Sequence, residues 1–164
     1  MEIAGKDQQQ PYLTEVKKIL IAVDKSGYKN KIVAYAITLA KALDAGIYAI
    51  HVIDESSFGV VGDMMSYYRG GKTDEYKKIL AKQAGQLLDD VSSEIRRVNK
   101  NIKVTTNVVI DSSVPNAIIG YAKKMEIDLV IVGSQGMTGL EKFLMGSVAS
   151  KVIIHAHCPV LAIR

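Results

Sequence analysis

The stretch Leu129-Val130-Ile131-Val132-Gly133-Ser134-Gln135-Gly136 decides the reading of this chain, together with Gly146-Ser147 after nine intervening residues. Four consecutive apolar residues stop at a glycine, which reads as a buried strand ending in a turn. Glycine at a strand exit admits positive φ and lets a ligand approach without a Cβ in the way. Gly146-Ser147 then opens an apolar helical segment, Val148 to Ile154. Its first N–H groups lack a partner inside the helix, and with the positive end of the helix dipole they attract phosphate. The pattern G-x-x-G-x9-G-S therefore describes a strand, a glycine-rich loop and a helix N-terminus, arranged to cradle the phosphates of a nucleotide.

Working outward, Ile19-Leu20-Ile21-Ala22-Val23 is a continuous apolar run ending at Asp24, which suits a strand buried on both faces. Ile32, Val33, Ala36, Ile37, Ala40 and Leu43 recur with helical spacing until Gly46, a helix stop. A second strand follows from Ile47 to Ile53, ending at Asp54. The segment from Glu55 to Lys72 has no period and carries four glycines, so it is a long loop. Its apolar residues, among them Phe58, Met64, Met65 and Tyr67, leave two readings open: a loosely packed crossover, or a lid or partner-binding flap. Thr73 is the N-cap of the longest helix, whose inward face is Tyr76, Leu80, Ala84, Leu87, Val91, Ile95 and Val98. Val104 to Ile110 is a third strand, ending at Asp111. Ser112-Ser113 starts a helix with Pro115 in its first turn and Ala117, Ile118, Tyr121 and Ala122 inward. Pro159 to Ile163 closes the chain as a fifth strand. The alternation β-α-β-α-β-α-β-α-β implies a parallel sheet with helices on both faces. Ligands bind such sheets beyond the carboxyl ends of the strands, where Asp24, Asp54, Asp111 and Gly133 stand.

A chain of 164 residues with 48% apolar and 23% charged residues fits one domain with its own core. The single cysteine, Cys158, excludes an internal disulfide and suits a reducing compartment. No apolar run approaches the roughly 20 residues of a membrane span. Residues 1–14 are polar and aperiodic, read as a flexible leader without a signal peptide's apolar stretch, so the expected location is cytoplasmic. The net charge of +4 comes from basic pairs scattered over different elements, with no interleaved aromatic platform, which argues against a nucleic-acid partner. His51 reads as a packed histidine at a strand end. His155, His157 and Cys158 straddle a helix end and a strand start without a fourth ligand, so no metal site is expected there.

From Lys17 to Arg164 the chain resembles the universal stress protein family. The resemblance rests on Lys18-Ile19-Leu20-Ile21-Ala22-Val23-Asp24-Lys25-Ser26, on His51-Val52-Ile53-Asp54, on Asp128 to Ser134, on the G-x-x-G-x9-G-S loop and on Cys158-Pro159-Val160-Leu161. It implies a doubly wound five-stranded α/β sheet of order 3-2-1-4-5, filling residues 15–164, and a member of the ATP-binding type. Carried across, Asp24, beside Ala22, would face the ribose or a phosphate-bound metal, and the Val52 backbone would meet the adenine edge. Gly133, beside Val132, and Gly136 would line the ribose and phosphates, while Gly146, Ser147 and Val148 would hold the phosphate tail. The nucleotide would be ATP, with ADP or AMP as alternatives, and Mg2+ or Mn2+ could travel with it. In the first loop many members carry another hydroxyl residue where this chain has Tyr28-Lys29.

The function so implied is a nucleotide-dependent regulator read by an unidentified protein partner. Dedicated phosphoryl transfer needs a cation on the γ-phosphate, a held metal and a positioned base or water. The loop lacks the G-K-[ST] ending of a P-loop, and Lys142 is its only near cation, so slow hydrolysis at most is expected. The rival reading is a nucleotide-free homodimeric scaffold of the same fold. A nucleotidyltransferase is disfavoured by the absence of H-x-G-H after the first strand, and an electron carrier by the absence of a flavin-stacking aromatic after the loop. The last strand, Val160 to Ile163, is apolar throughout and would lie at a sheet edge, which points to a homodimer built on it.

Overall fold

The computed structural model describes residues 14–56, 73–134 and 145–164, and among these five strands alternate with four helices. The strands are β1 (Lys18–Ala22), β2 (Gly46–Asp54), β3 (Val104–Asp111), β4 (Leu129–Gly133) and β5 (Val160–Ile163). The helices are α1 (Lys29–Leu43), α2 (Thr73–Val98), α3 (Val114–Lys124) and α4 (Ser147–His155). All strand pairs are parallel, and the sheet order is β3-β2-β1-β4-β5, as the resemblance implies. The expected leader and the loop from Glu55 to Lys72 lie outside the described residues, apart from Thr14, Glu55 and Ser56. Among the described residues, no helix is long and apolar enough to cross a membrane.

The period of two along each strand sorts the core into two layers. Ile19 and Ile21 of β1 and Val23 just beyond it, with Ile47, Ala49 and Ile131, pack against Ile32, Val33, Ala36 and Ala40 of α1 and Val91 and Ile95 of α2. Leu20, Ile50, Val130 and Val132 point the other way, onto Ile118 and Ala122 of α3 and Ala149 and Val152 of α4. Ile19, Leu20 and Ile21 are fully buried because β1 is covered on both faces and paired on both edges. That is why these strands read as unbroken apolar runs.

Helix ends depart from the sequence reading. Asp44, not Gly46, terminates α1: it takes the left-handed conformation at φ 52°, and the N–H groups of Asp44 and Ala45 return to the Ala40 carbonyl. A short polar side chain tolerates that conformation better than most, so Gly46 is released to begin β2. Its N–H donates to the Lys17 carbonyl at 2.8 Å. Leu43 and Val98, expected inward, are 39% and 61% exposed. The N-cap expected at Thr73 falls at the edge of the described residues, where α2 is described from Thr73 onward.

Opposite the carboxyl ends of the strands, Asp128 ties the sheet together. Its Oδ2 accepts the N–H groups of both Lys17 and Lys18, each at 2.8 Å, fastening the start of β1 to the start of β4. A carboxylate accepting two amides makes charge-assisted bonds, stronger than neutral ones. Asp128→Ala should lower unfolding free energy by about 1–3 kcal/mol, and Asp128→Asn by less. Denaturant titration of the three proteins measures both.

Candidate functional site

The sheet opens at one place. β1 pairs with β4 only as far as Ile21 opposite Ile131. Beyond that, β1 stays with β2, the Val23 N–H donating to the Ile50 carbonyl at 3.0 Å. β4 stays with β5 instead, Val132 opposite Ala162 and Gly133 opposite Ile163. The chain leaves β1 through α1 towards one edge of the sheet and leaves β4 through α4 towards the other. The crevice between the two exits is the topological switch point at which open α/β sheets bind ligands.

On the β4 side, the Ser134 N–H donates to the Ile163 carbonyl and the Gly146 N–H to the Ser134 carbonyl, both at 2.7 Å. Gly146 is therefore set against the end of β4. Gly146 is the N-cap of α4 at φ −61°, ψ 151°, and it has no side chain to cap the helix. The first turn carries no acidic residue, and the Ser150 N–H is the donor to the Gly146 carbonyl. Within the helix the amides of Ser147, Val148 and Ala149 precede that bond and have no acceptor. Three such donors at the positive end of a helix make a place for an anion.

On the other side, Asp24 follows Val23 and its Oδ1 accepts the Ser26 N–H at 2.9 Å. It is not the N-cap of α1, a position held by Tyr28. The same turn recurs at the neighbouring strand ends, where Ser56 donates to Asp54 and Ser113 to Asp111. These carboxylates shape turns at three strand ends, but only Asp24 stands at the crevice. Ala22 and Val52 are half-buried, and their side chains pack on the α3/α4 layer. Val132 is buried there too, so only its backbone could meet a ligand. Gly133, Gly146, Ser147 and Val148 lie at the crevice, whereas Gly136 and Lys142 lie outside the described residues.

Two residues matter more than the sequence reading gave them. Ser134 is 2% exposed, and its hydroxyl has no hydrogen-bond partner among the described residues. An orphaned hydroxyl beside an open anion cradle is the kind of group a ligand satisfies. His51 is more than a packed histidine: its Nδ1 lies 2.8 Å from the Val23 carbonyl. Its placement in His51-Val52-Ile53-Asp54 was the only sequence signal. His155 and His157 are exposed, and no three His, Cys, Asp or Glu side chains group around a metal position among the described residues.

The profile of the universal stress protein family matches residues 15–164, and the chain belongs to that family. It is 36% identical over 149 residues to the universal stress protein MJ0531 of Methanocaldococcus jannaschii, covering 90% of this chain and 82% of that protein. To the universal stress protein YxiE of Bacillus subtilis it is 29% identical, over 90% of this chain and 98% of the relative. Among solved structures, hypothetical protein MJ0577 superposes with a TM-score of 0.77 at 26% identity, covering 92% and 96% of the two chains. The universal stress protein of Archaeoglobus fulgidus in complex with dAMP shares the fold at a TM-score of 0.62 and 21% identity, over 92% of this chain and all of that one.

Cys158-Pro159, part of the family resemblance, enters β5 with its thiol half-buried against the α3/α4 layer. Burial pushes that thiol above its usual range, and the Asp128 charge adds to the shift. The neutral form is favoured, and thiolate is the reactive species. Alkylation by iodoacetamide at pH 8 should therefore be slower than for a free thiol, and should accelerate severalfold when denaturant unfolds the chain.

Proposed function

We propose that this member of the universal stress protein family is an adenine-nucleotide-binding regulator, whose bound state is read by a protein partner. The observation that carries the reading is the uncapped N-terminus of α4, held at the switch point by the bond between Gly146 and Ser134. The relative solved with dAMP supports a nucleotide in this fold. The phosphate tail would rest on the amides of Ser147 and Val148 and beside Gly133 and Gly136. The Val52 peptide would face the adenine edge, and Asp24 would face the ribose or a Mg2+ or Mn2+ ion carried by the phosphates. ATP is the proposed ligand, and ADP and AMP satisfy the same donors. Backbone donors and a helix dipole bind phosphate without supplying a base or an activated water, so the protein acts by binding rather than by dedicated catalysis.

Gly146 offers a sharp test because its backbone is extended and admits any residue without strain. Gly146→Asp would place a carboxylate on the same helix amides that the phosphate would use. ATP affinity by calorimetry should fall by about tenfold or more, while the melting temperature holds or rises slightly. Ser147→Ala, which deletes one hydroxyl, should weaken binding by about 0.5–3 kcal/mol. Undiminished ATP binding by Gly146→Asp would move the phosphates elsewhere, whereas a parent that binds no ATP would favour the nucleotide-free scaffold.

The same reading includes a homodimer through β5. This strand pairs only with β4 among the described residues, and Ile153, Ile154 and Met145 beside or within α4 are 40%, 71% and 42% exposed. Such apolar surface beside an open strand edge is an aggregation liability unless a partner covers it. The Pro159 and Ile163 carbonyls face β4, so by strand alternation the Ala162 N–H faces outward. Ala162→Pro removes that outward donor and spares the internal ladder. Light scattering at micromolar concentration should give a dimer for the parent and a folded monomer for Ala162→Pro; a monomeric parent would end the proposal.

A further inference from the structure

The β1–β2 ladder follows a strict alternation that ends in an exception. In a parallel pair, the N–H and C=O of one residue point to the same neighbour, and successive residues point to opposite neighbours. In β2 the even positions face β1: the Gly46 N–H donates to the Lys17 carbonyl, and the Ile50 carbonyl accepts from Val23. The odd positions face β3: the Ile47 N–H donates to the Lys103 carbonyl and the Glu55 N–H to the Asp111 carbonyl. Continued by two residues at each step, the ladder would bring the Val52 N–H onto the Val23 carbonyl. Among the described residues that backbone bond is not made. The His51 ring takes its place, with Nδ1 at 2.8 Å from the Val23 oxygen. A carbonyl can only accept, so Nδ1 carries the proton whether the ring is neutral or charged.

We infer that His51 is a base-positioning residue: by donating to Val23 it stands in for the Val52 amide and leaves the Val52 N–H and C=O open towards the crevice. The inference rests on the nucleotide reading above and deepens it by naming the residue that sets the preference for adenine. A donor and an acceptor on one residue, pointing the same way, match adenine, which sets its N6 amino group beside a ring nitrogen acceptor. Guanine carries the O6 acceptor in place of that amino group, and would set it against the Val52 carbonyl. Leaving two acceptors face to face in a sheltered crevice is the kind of mismatch that discriminates strongly. His51 thereby selects adenine without needing to touch it.

The test uses the full chain, with His51→Phe to remove the donor at similar shape and His51→Asn to restore a donor near the Nδ1 position. Without ligand, amide exchange followed by NMR should find the Val52 N–H fast in the parent while Ile50 is protected. In His51→Phe the Val52 amide should slow, as it closes onto Val23. With ligand, calorimetry should give His51→Phe an ATP affinity lower by about tenfold, the worth of one good hydrogen bond, and a reduced preference for ATP over GTP. Tripolyphosphate should bind all three proteins alike, and His51→Asn should recover the ATP preference. A protected Val52 amide in the parent, or an unchanged ATP-to-GTP ratio in a folded His51→Phe, would overturn the role of His51 while leaving the phosphate cradle standing. A parent that binds neither ATP nor tripolyphosphate would overturn both.

Discussion

The separation of β1 from β4 after Ile21 and Ile131 governs everything at the carboxyl end of this sheet. Up to that point each backbone group of β1 has a neighbour on both sides, and its side chains are sealed in two apolar layers. Past it, the chain still carries one donor and one acceptor per residue, and burial without partners would cost as much as the lost bonds. The parallel crossovers force the separation, because α1 and α4 carry their strands towards opposite edges. A crevice lined by backbone polar groups is thus a consequence of topology before it is a feature of any ligand.

Side chains satisfy several of those groups. Asp24, Asp54 and Asp111 each accept the amide of a serine two residues on, ending three adjacent strands in the same turn. His51 answers the Val23 carbonyl. At the other end of the sheet Asp128 accepts two successive amides, and Lys18 reaches the Met125 carbonyl at the end of α3. The two ends therefore differ in kind. One is fastened by charge-assisted bonds across strands, whereas the other combines local turns with the amides of a helix whose N-cap is glycine.

The strands were legible because burial on both faces leaves no room for polar residues, so Ile19 to Ile21 and Leu129 to Val132 announce themselves. The crossover pattern, and with it the switch point, follows from their alternation with amphipathic helices. Helix ends were less legible, for a reason of length. The 26 residues of α2 span about 39 Å at 1.5 Å each, whereas the eight residues of β3 span about 26 Å. The apolar period of α2 runs on past the layer that could bury it, and Val98 ends in water. Asp44 was missed because a left-handed residue is set by backbone closure, and Gly46 two positions on was the more conspicuous signal. The glycines flanking the crevice were visible in the sequence. The role of His51 was not, because it is defined by a ladder bond that the neighbouring residue does not make.

Selectivity at the proposed site would come from fixed dipoles more than from net charge. The amides at the start of α4 are aimed by the bond between Gly146 and Ser134, and the Val52 peptide is aimed by the β2–β3 pairing on its far side. Neither group has to be ordered when a ligand arrives, so little conformational entropy is lost on binding. A net charge of +4 would hasten the approach of a polyanion, and that help fades as salt rises. Long-range attraction of this sort acts alike on ATP, GTP and bare polyphosphate. Discrimination between bases must then lie in the short-range pattern of donors and acceptors, where a single side chain that holds one carbonyl and frees the N–H and C=O of one residue is enough to set the preference.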